Sequence, residues 1–178
     1  MVTTNRYSPS PLPQNPVEHP EELFTALTFR RSFDRQEEYL CLHGVATLNH
    51  SHHHANCILR LTWRDRIVLA EGDEMKFLRR YQNGLVIIRE GEHHLPPGLA
   101  RLKFRASFPY SGFSRTLLEN DNGLDWERNI IWCPGHFFMV LDHGTARREG
   151  DYLVEARWMT LGDVGTRHAV PQNRTLLI

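Results

Sequence analysis

Four of the eleven histidines of this 178-residue chain fall within five positions, in the stretch His50-Ser51-His52-His53-His54-Ala55-Asn56-Cys57. Imidazole exchanges protons near neutral pH and ligates metals through a ring nitrogen. If the stretch is extended, side chains alternate, so His50, His52 and His54 share one face and His53 takes the other. Alternate imidazoles then stand roughly 6–7 Å apart along the backbone, close enough to converge on one ion or one substrate. Residue chemistry alone leaves three readings open: a metal site, a proton-transfer site, or a polar strand face in a His-rich tract. The run is internal and broken by Ser51, which sets aside an affinity tag.

The elements around the run must position it. Cys57-Ile58-Leu59-Arg60-Leu61-Thr62-Trp63, then Arg64-Asp65-Arg66, then Ile67-Val68-Leu69-Ala70 before Glu71-Gly72-Asp73 predict a strand, a tight polar turn and a second strand. The histidines then enter a β-hairpin. From Glu38 onward, short apolar runs alternate with Gly, Asn, Asp and Pro, the pattern of an antiparallel sandwich. Strands are predicted at Tyr39–Leu42, Ala55–Thr62, Ile67–Ala70, Gly84–Arg89, Ala100–Ser107, Phe113–Leu118, Asn129–Trp132, His136–His143 and Tyr152–Thr160. Trp126, Trp132 and Trp158 are expected as core anchors, and Trp63 beside the turn is the candidate for an exposed stacking surface. Asp142 is expected to cap a turn. Pro9, Pro11, Pro13, Pro16 and Pro20 predict an extended tether over 1–20, followed by a helical turn at Glu21–Phe24 and one β-domain over 21–178. The expected fold class is therefore all-β: an antiparallel two-sheet β-sandwich with a proline-rich N-terminal tether.

The His tract with its hairpin, Tyr81-Gln82-Asn83-Gly84-Leu85-Val86, Asp125–Trp132, His136–Asp142 and Gly150–Trp158 follow one another in an order and spacing that carry a resemblance. From about Phe24 to about Gly162 the chain resembles the C-terminal β-domain of the heparinase II/III-like polysaccharide lyases, whose His-x-His-x-Asp-x-Asn-Ser type motif lies on His50–Cys57. The resemblance implies β-elimination on a uronate-containing polysaccharide, with His50, the first motif histidine, transferring protons. It also implies an α/α toroid that supplies further catalytic groups, none of which is in this sequence. Zinc in relatives is held by the second motif histidine, an aspartate ending the next strand and a later histidine. Here those positions fall on His52, on Ala70 or Glu71, and on Gln82, and His54 replaces the motif aspartate. The zinc pattern is thus incomplete, and a rearranged site would use His52, His54 and Glu71. With a uronate substrate, Asn56, Gln82 and Asn83 of the two motif segments are candidate binding residues. So are Arg79 and Arg80, from a basic run that offers bidentate contact to a carboxylate or else forms a solvated edge.

Lys plus Arg equals Asp plus Glu at 21 each, so overall charge gives no steering toward nucleic acid, and no apolar stretch has the length of a membrane span. The first residues lack the apolar core of a signal peptide; the resemblance implies a periplasmic or extracellular setting. Cys41, Cys57 and Cys133 are odd in number and scattered, which favours free thiols over a disulfide framework. The expected partner is an acidic polysaccharide or oligosaccharide, with a separate or missing toroid as a second. Two functions follow: the β-sandwich portion of a polysaccharide lyase, incomplete as an enzyme on its own, or a non-catalytic carbohydrate-binding or structural sandwich.

Overall fold

A computed structural model describes residues 1–6, 19–46, 54–71, 79–160 and 176–177. Period-two burial dominates them. Along Leu124–Cys133 every second residue is buried, so Leu124, Trp126, Arg128, Ile130 and Trp132 face inward while Asp125, Glu127 and Asn129 face out. That alternation is what one covered and one solvated face impose on a strand.

The described residues form twelve strands, every one paired antiparallel. The first sheet runs in chain order through β1 (Val2–Arg6), β2 (Phe24–Arg30), β3 (Tyr39–His43), β4 (Ile58–Trp63) and β5 (Arg66–Ala70). The second orders β10 (Phe137–Ala146), β9 (Leu124–Cys133), β8 (Ser111–Asp121) and β7 (Arg101–Phe108), again joining chain neighbours. A third, smaller sheet pairs β6 (Gly84–Arg89) with β11 (Tyr152–Arg157) and β11 with β12 (Leu176–Leu177). Bridges Ile58↔Asn83 and Leu69↔Thr160 tie this third sheet to the hairpin of β4 and β5.

The first two sheets meet through aromatic rings. Phe29 of β2 packs edge-on against Trp132 at 6.1 Å and against Phe138 at 6.1 Å, and Trp132 stacks on Phe138 at 6.0 Å. Glu38 is buried beneath them, accepting hydrogen bonds from Trp132 Nε1 at 3.1 Å and the Gly135 amide at 2.7 Å. Trp126 is fully buried, as expected of a core anchor.

The all-β antiparallel sandwich agrees with the sequence pattern, while several local expectations need correction. Val2–Arg6, inside the stretch assigned to a tether, is an edge strand on β2; residues 7–18 lie outside the described residues. Pro20–Glu22 is a single 3-10 turn, and Phe24 begins β2, which the sequence reading had not resolved. Trp158 is 43% exposed, so it is no core anchor. Asp142 lies within β10 and binds side chains of β9, not a turn. The strand expected from Ala55 starts at Ile58, because Asn56 adopts a left-handed φ of 65° and the chain turns first. Among the described residues no helix is long and apolar enough to cross a membrane.

Candidate functional site

The described part of the histidine run begins at His54. The Cys57 amide donates to the His54 carbonyl at 2.9 Å, closing a turn through Ala55 and Asn56. That turn is clipped to the end of β3: the Asn56 amide donates to the His43 carbonyl at 2.8 Å, and the His43 amide donates to the Cys57 carbonyl at 3.0 Å. The clip brings the His43 and His54 rings to 4.3 Å between centroids.

Glu71, just past β5, has its amide bonded to the Leu59 carbonyl at 2.8 Å. Its Oε1 lies 3.0 Å from Nδ1 of the buried His54, with the Glu71 side chain 27% exposed. The contact sets a carboxylate oxygen beside one imidazole nitrogen of a buried ring, outside hydrogen-bonding geometry. His43 was not singled out from sequence. Its signal was three-dimensional, since it sits seven residues before the run and reaches it only through the β3 clip.

His50 and His52, the residues expected to carry catalysis and metal binding, lie outside the described residues. Of the rearranged zinc set, His54 and Glu71 are brought together. Among the described residues no three His, Cys, Asp or Glu side chains converge on a common point where a metal ion could sit. Gln82, which the resemblance sets at a zinc-ligand position, is buried, with Oε1 3.8 Å from the Cys57 thiol that faces it. The described residues therefore do not compose the zinc site the resemblance implies. Cys57 is a core thiol whose pKa is raised, first by burial, and Cys41 is raised for the same reason, so neither is a ready thiolate at neutral pH. Cys41, Cys57 and Cys133 are all free.

Asn56 and Asn83 are wholly buried and act on the protein itself. Asn56 Oδ1 accepts from Thr116 Oγ1 at 2.6 Å. Asn83 Nδ2 donates to the Ile58 carbonyl at 2.8 Å and the Ala70 carbonyl at 3.1 Å, and its Oδ1 accepts from the Met159 amide at 2.6 Å. These side chains do not face solvent in this structure.

Two arginines stand behind this layer. Arg128 occupies an inward position of β9 and is fully buried. Its Nε and Nη2 donate to Asp142 at 2.8 and 2.9 Å, and Nη1 donates to the Asn56 and Asn83 carbonyls at 3.0 and 3.1 Å. Asp142 also accepts from Trp126 Nε1 at 2.8 Å. Sequence reasoning missed Arg128, although the alternation Trp126-x-Arg128-x-Ile130-x-Trp132 points its side chain into the core. Arg79, in the 3-10 turn Arg79–Tyr81 before β6, is 2% exposed and lies over the Trp126 ring at 5.1 Å. Its Nη1 is 2.8 Å from Asp121 Oδ2, a charge contact outside hydrogen-bonding geometry. Arg80 is exposed, over the Tyr81 ring at 5.4 Å. The expected basic edge thus divides: Arg80 faces solvent and Arg79 is in the protein.

No family model matches this chain, and no curated protein matches it.

Proposed function

We propose that this chain is the β-sandwich portion of a polysaccharide lyase-like protein acting on uronate-containing polysaccharide, with its remaining catalytic groups supplied by a helical toroid. The observation that supports this reading is the pairing of the buried His54 with Glu71 at 3.0 Å, with His43 alongside, at the end of the histidine tract. In β-elimination a base takes the proton from the carbon beside the uronate carboxylate. That electron pair forms a carbon–carbon double bond, the bond to the glycosidic oxygen breaks, and an acid protonates the departing oxygen. Imidazoles held by carboxylates suit both proton transfers. By resemblance His50 performs them, and the His54–Glu71 pair fixes the chain just after it.

A second reading, a non-catalytic carbohydrate-binding or structural sandwich, is favoured by one specific observation. The motif residues Asn56, Gln82 and Asn83 are sealed inside the fold.

Ultraviolet absorbance during incubation with a panel of uronate polysaccharides tests the proposal, comparing the chain with its His50→Ala and Glu71→Gln forms. The expected result is slow growth of an unsaturated-uronate signal, slow because positioning groups of the toroid are missing. His50→Ala should lower that rate by about 10²–10⁴-fold. A flat trace from folded protein that still binds the polysaccharides would replace the lyase with the binding domain. Neither turnover nor binding would sink both.

A further inference from the structure

Arg79 and Arg128 make an internal comparison. Both guanidinium groups are buried against Trp126, and Arg128 has donors placed on two carboxylate oxygens and two backbone carbonyls. Arg79, in contrast, has Nε, Nη1 and Nη2 without a hydrogen-bond acceptor among the described residues, its contact with Asp121 being one of charge alone. A buried cation with idle donors is costly, and charge-assisted acceptors relieve it best.

Arg79 also forms part of the wall of a cavity of about 460 Å³ on the third sheet. This volume falls within the roughly 300–1,000 Å³ of small-molecule sites. The register of β6 and β11 sets Val86 opposite Glu155 and Gly84 opposite Arg157, so period two places Val86, Ile88, Glu155 and Arg157 on one face. Arg80 and His93 complete the lining. Three arginines and two aliphatic side chains thus converge on one hollow, and the carboxylates that oppose them are the Asp121 beside Arg79 and Glu155, which accepts from Arg157 Nε at 3.0 Å. The balance is one cation in excess.

We propose that this cavity binds a ring bearing an oxyanion. The anionic group lies on the exposed Arg80, whose planar fork can take it in bidentate fashion, with the buried charge of Arg79 behind it in the wall, and the apolar ring face lies on Val86 and Ile88. That the ring is a uronate sugar rests on the reading proposed above; that the group is an anion does not. A carboxylate and a sulfate ester share this chemistry, and the probes below separate them.

Isothermal titration of the intact chain would use four probes: a glucuronate-containing tetrasaccharide, a neutral N-acetylglucosamine tetrasaccharide, glucuronate monosaccharide and inorganic sulfate. Arg80→Gln and Arg157→Gln, both at exposed positions, should each weaken the acidic tetrasaccharide about tenfold. Glu155→Gln should act in the opposite direction, tightening it by about threefold by removing a like charge and releasing Arg157. The neutral tetrasaccharide should give no heat. Binding of the acidic tetrasaccharide that none of the three variants changes would overturn the cavity assignment and leave the proposed function standing. Variant-sensitive binding of glucuronate or sulfate without binding of the tetrasaccharide would keep the anion site and overturn the polysaccharide reading. Silence from all four probes would overturn both.

Discussion

The pairing of Arg79 with Asp121 sets two opposing effects on one carboxyl group. Burial raises the Asp121 pKa, the larger effect, while the charges of Arg79 and then His93 lower it, and the net direction is upward. A group with a raised folded-state pKa binds its proton more readily folded than unfolded. Its contribution is therefore fully present below the ordinary value and lost as pH rises through the folded value. The ordinary value is 3.8, so the loss should begin just above it. Asp121→Asn, which cannot ionise, isolates this effect. The stability of the natural chain minus that of the variant, from urea unfolding at several pH values between about 4 and 7, should fall as pH rises. A flat difference would mean the ion pair offsets desolvation at this site, and a rising one that it outweighs it. Arg79 itself also explains why this position was only partly legible in sequence. The basic run marked a cation next to a candidate site, but nothing in its spacing says that one arginine of the pair turns inward over Trp126 and the other outward.

At the scale of elements, the hairpin of β4 and β5 was legible, because its polar pair is flanked by apolar runs of strand length. Arg64 and Asp65 have φ values of 52° and 58°, and Trp63 pairs with Arg66, as in a two-residue type I′ turn. Arg64 is not at ease in that region and Asp65 tolerates it, whereas Asn-Gly is the favoured pair. Asp65 makes partial amends through an ion pair with Arg35 at 3.2 Å, exposed and so worth little. Replacing Arg64 by Asn and Asp65 by Gly together should raise stability by about 1 kcal/mol, read as a shift of the urea midpoint at unchanged slope. An unchanged or lowered midpoint would show that the Arg35 contact outweighs the backbone strain. Other elements resisted reading for identifiable reasons. β2 follows a proline-rich stretch and two glutamates, a composition that resembles a helix start. β9 was expected to be only Asn129–Trp132, because Asp125, Glu127 and Arg128 interrupt the apolar run with charge. In the fold the two acids face out and the arginine is inward, held by Asp142 from the neighbouring strand, a tertiary partner that local sequence does not announce. A strand was expected from Ala55; at His54–Cys57 the chain turns first, because Asn56 accepts a left-handed backbone and its side chain is held by Thr116.

For the molecule as a whole, the question is how the third sheet is fixed to the rest, since the His54–Glu71 pair borders the first sheet and the arginine-lined cavity belongs to the third. Asn83 is the joint. Its one amide group holds the Ile58 carbonyl of β4, the Ala70 carbonyl of β5 and the Met159 amide beyond β11, while its own carbonyl accepts from Arg128 and from the Ile58 amide. Asn83→Ala would keep the backbone bonds and strip the side-chain ones, leaving two carbonyls and one amide buried without those partners. Each such group costs about 1–3 kcal/mol, so the variant should lose several kcal/mol at the joint. The loss should be local, because the aromatic contact of Phe29, Trp132 and Phe138 that joins the first two sheets is remote from it in the chain and shares no partner with it. Hydrogen exchange followed by mass spectrometry should then show faster exchange in β6 and β11, with β8 and β9 retaining protection. Acceleration spread evenly over all strands would mean the three sheets unfold as one unit. Unchanged protection with weakened saccharide binding would instead return Asn83 to the role its motif suggested, a contact to substrate rather than a tie between sheets.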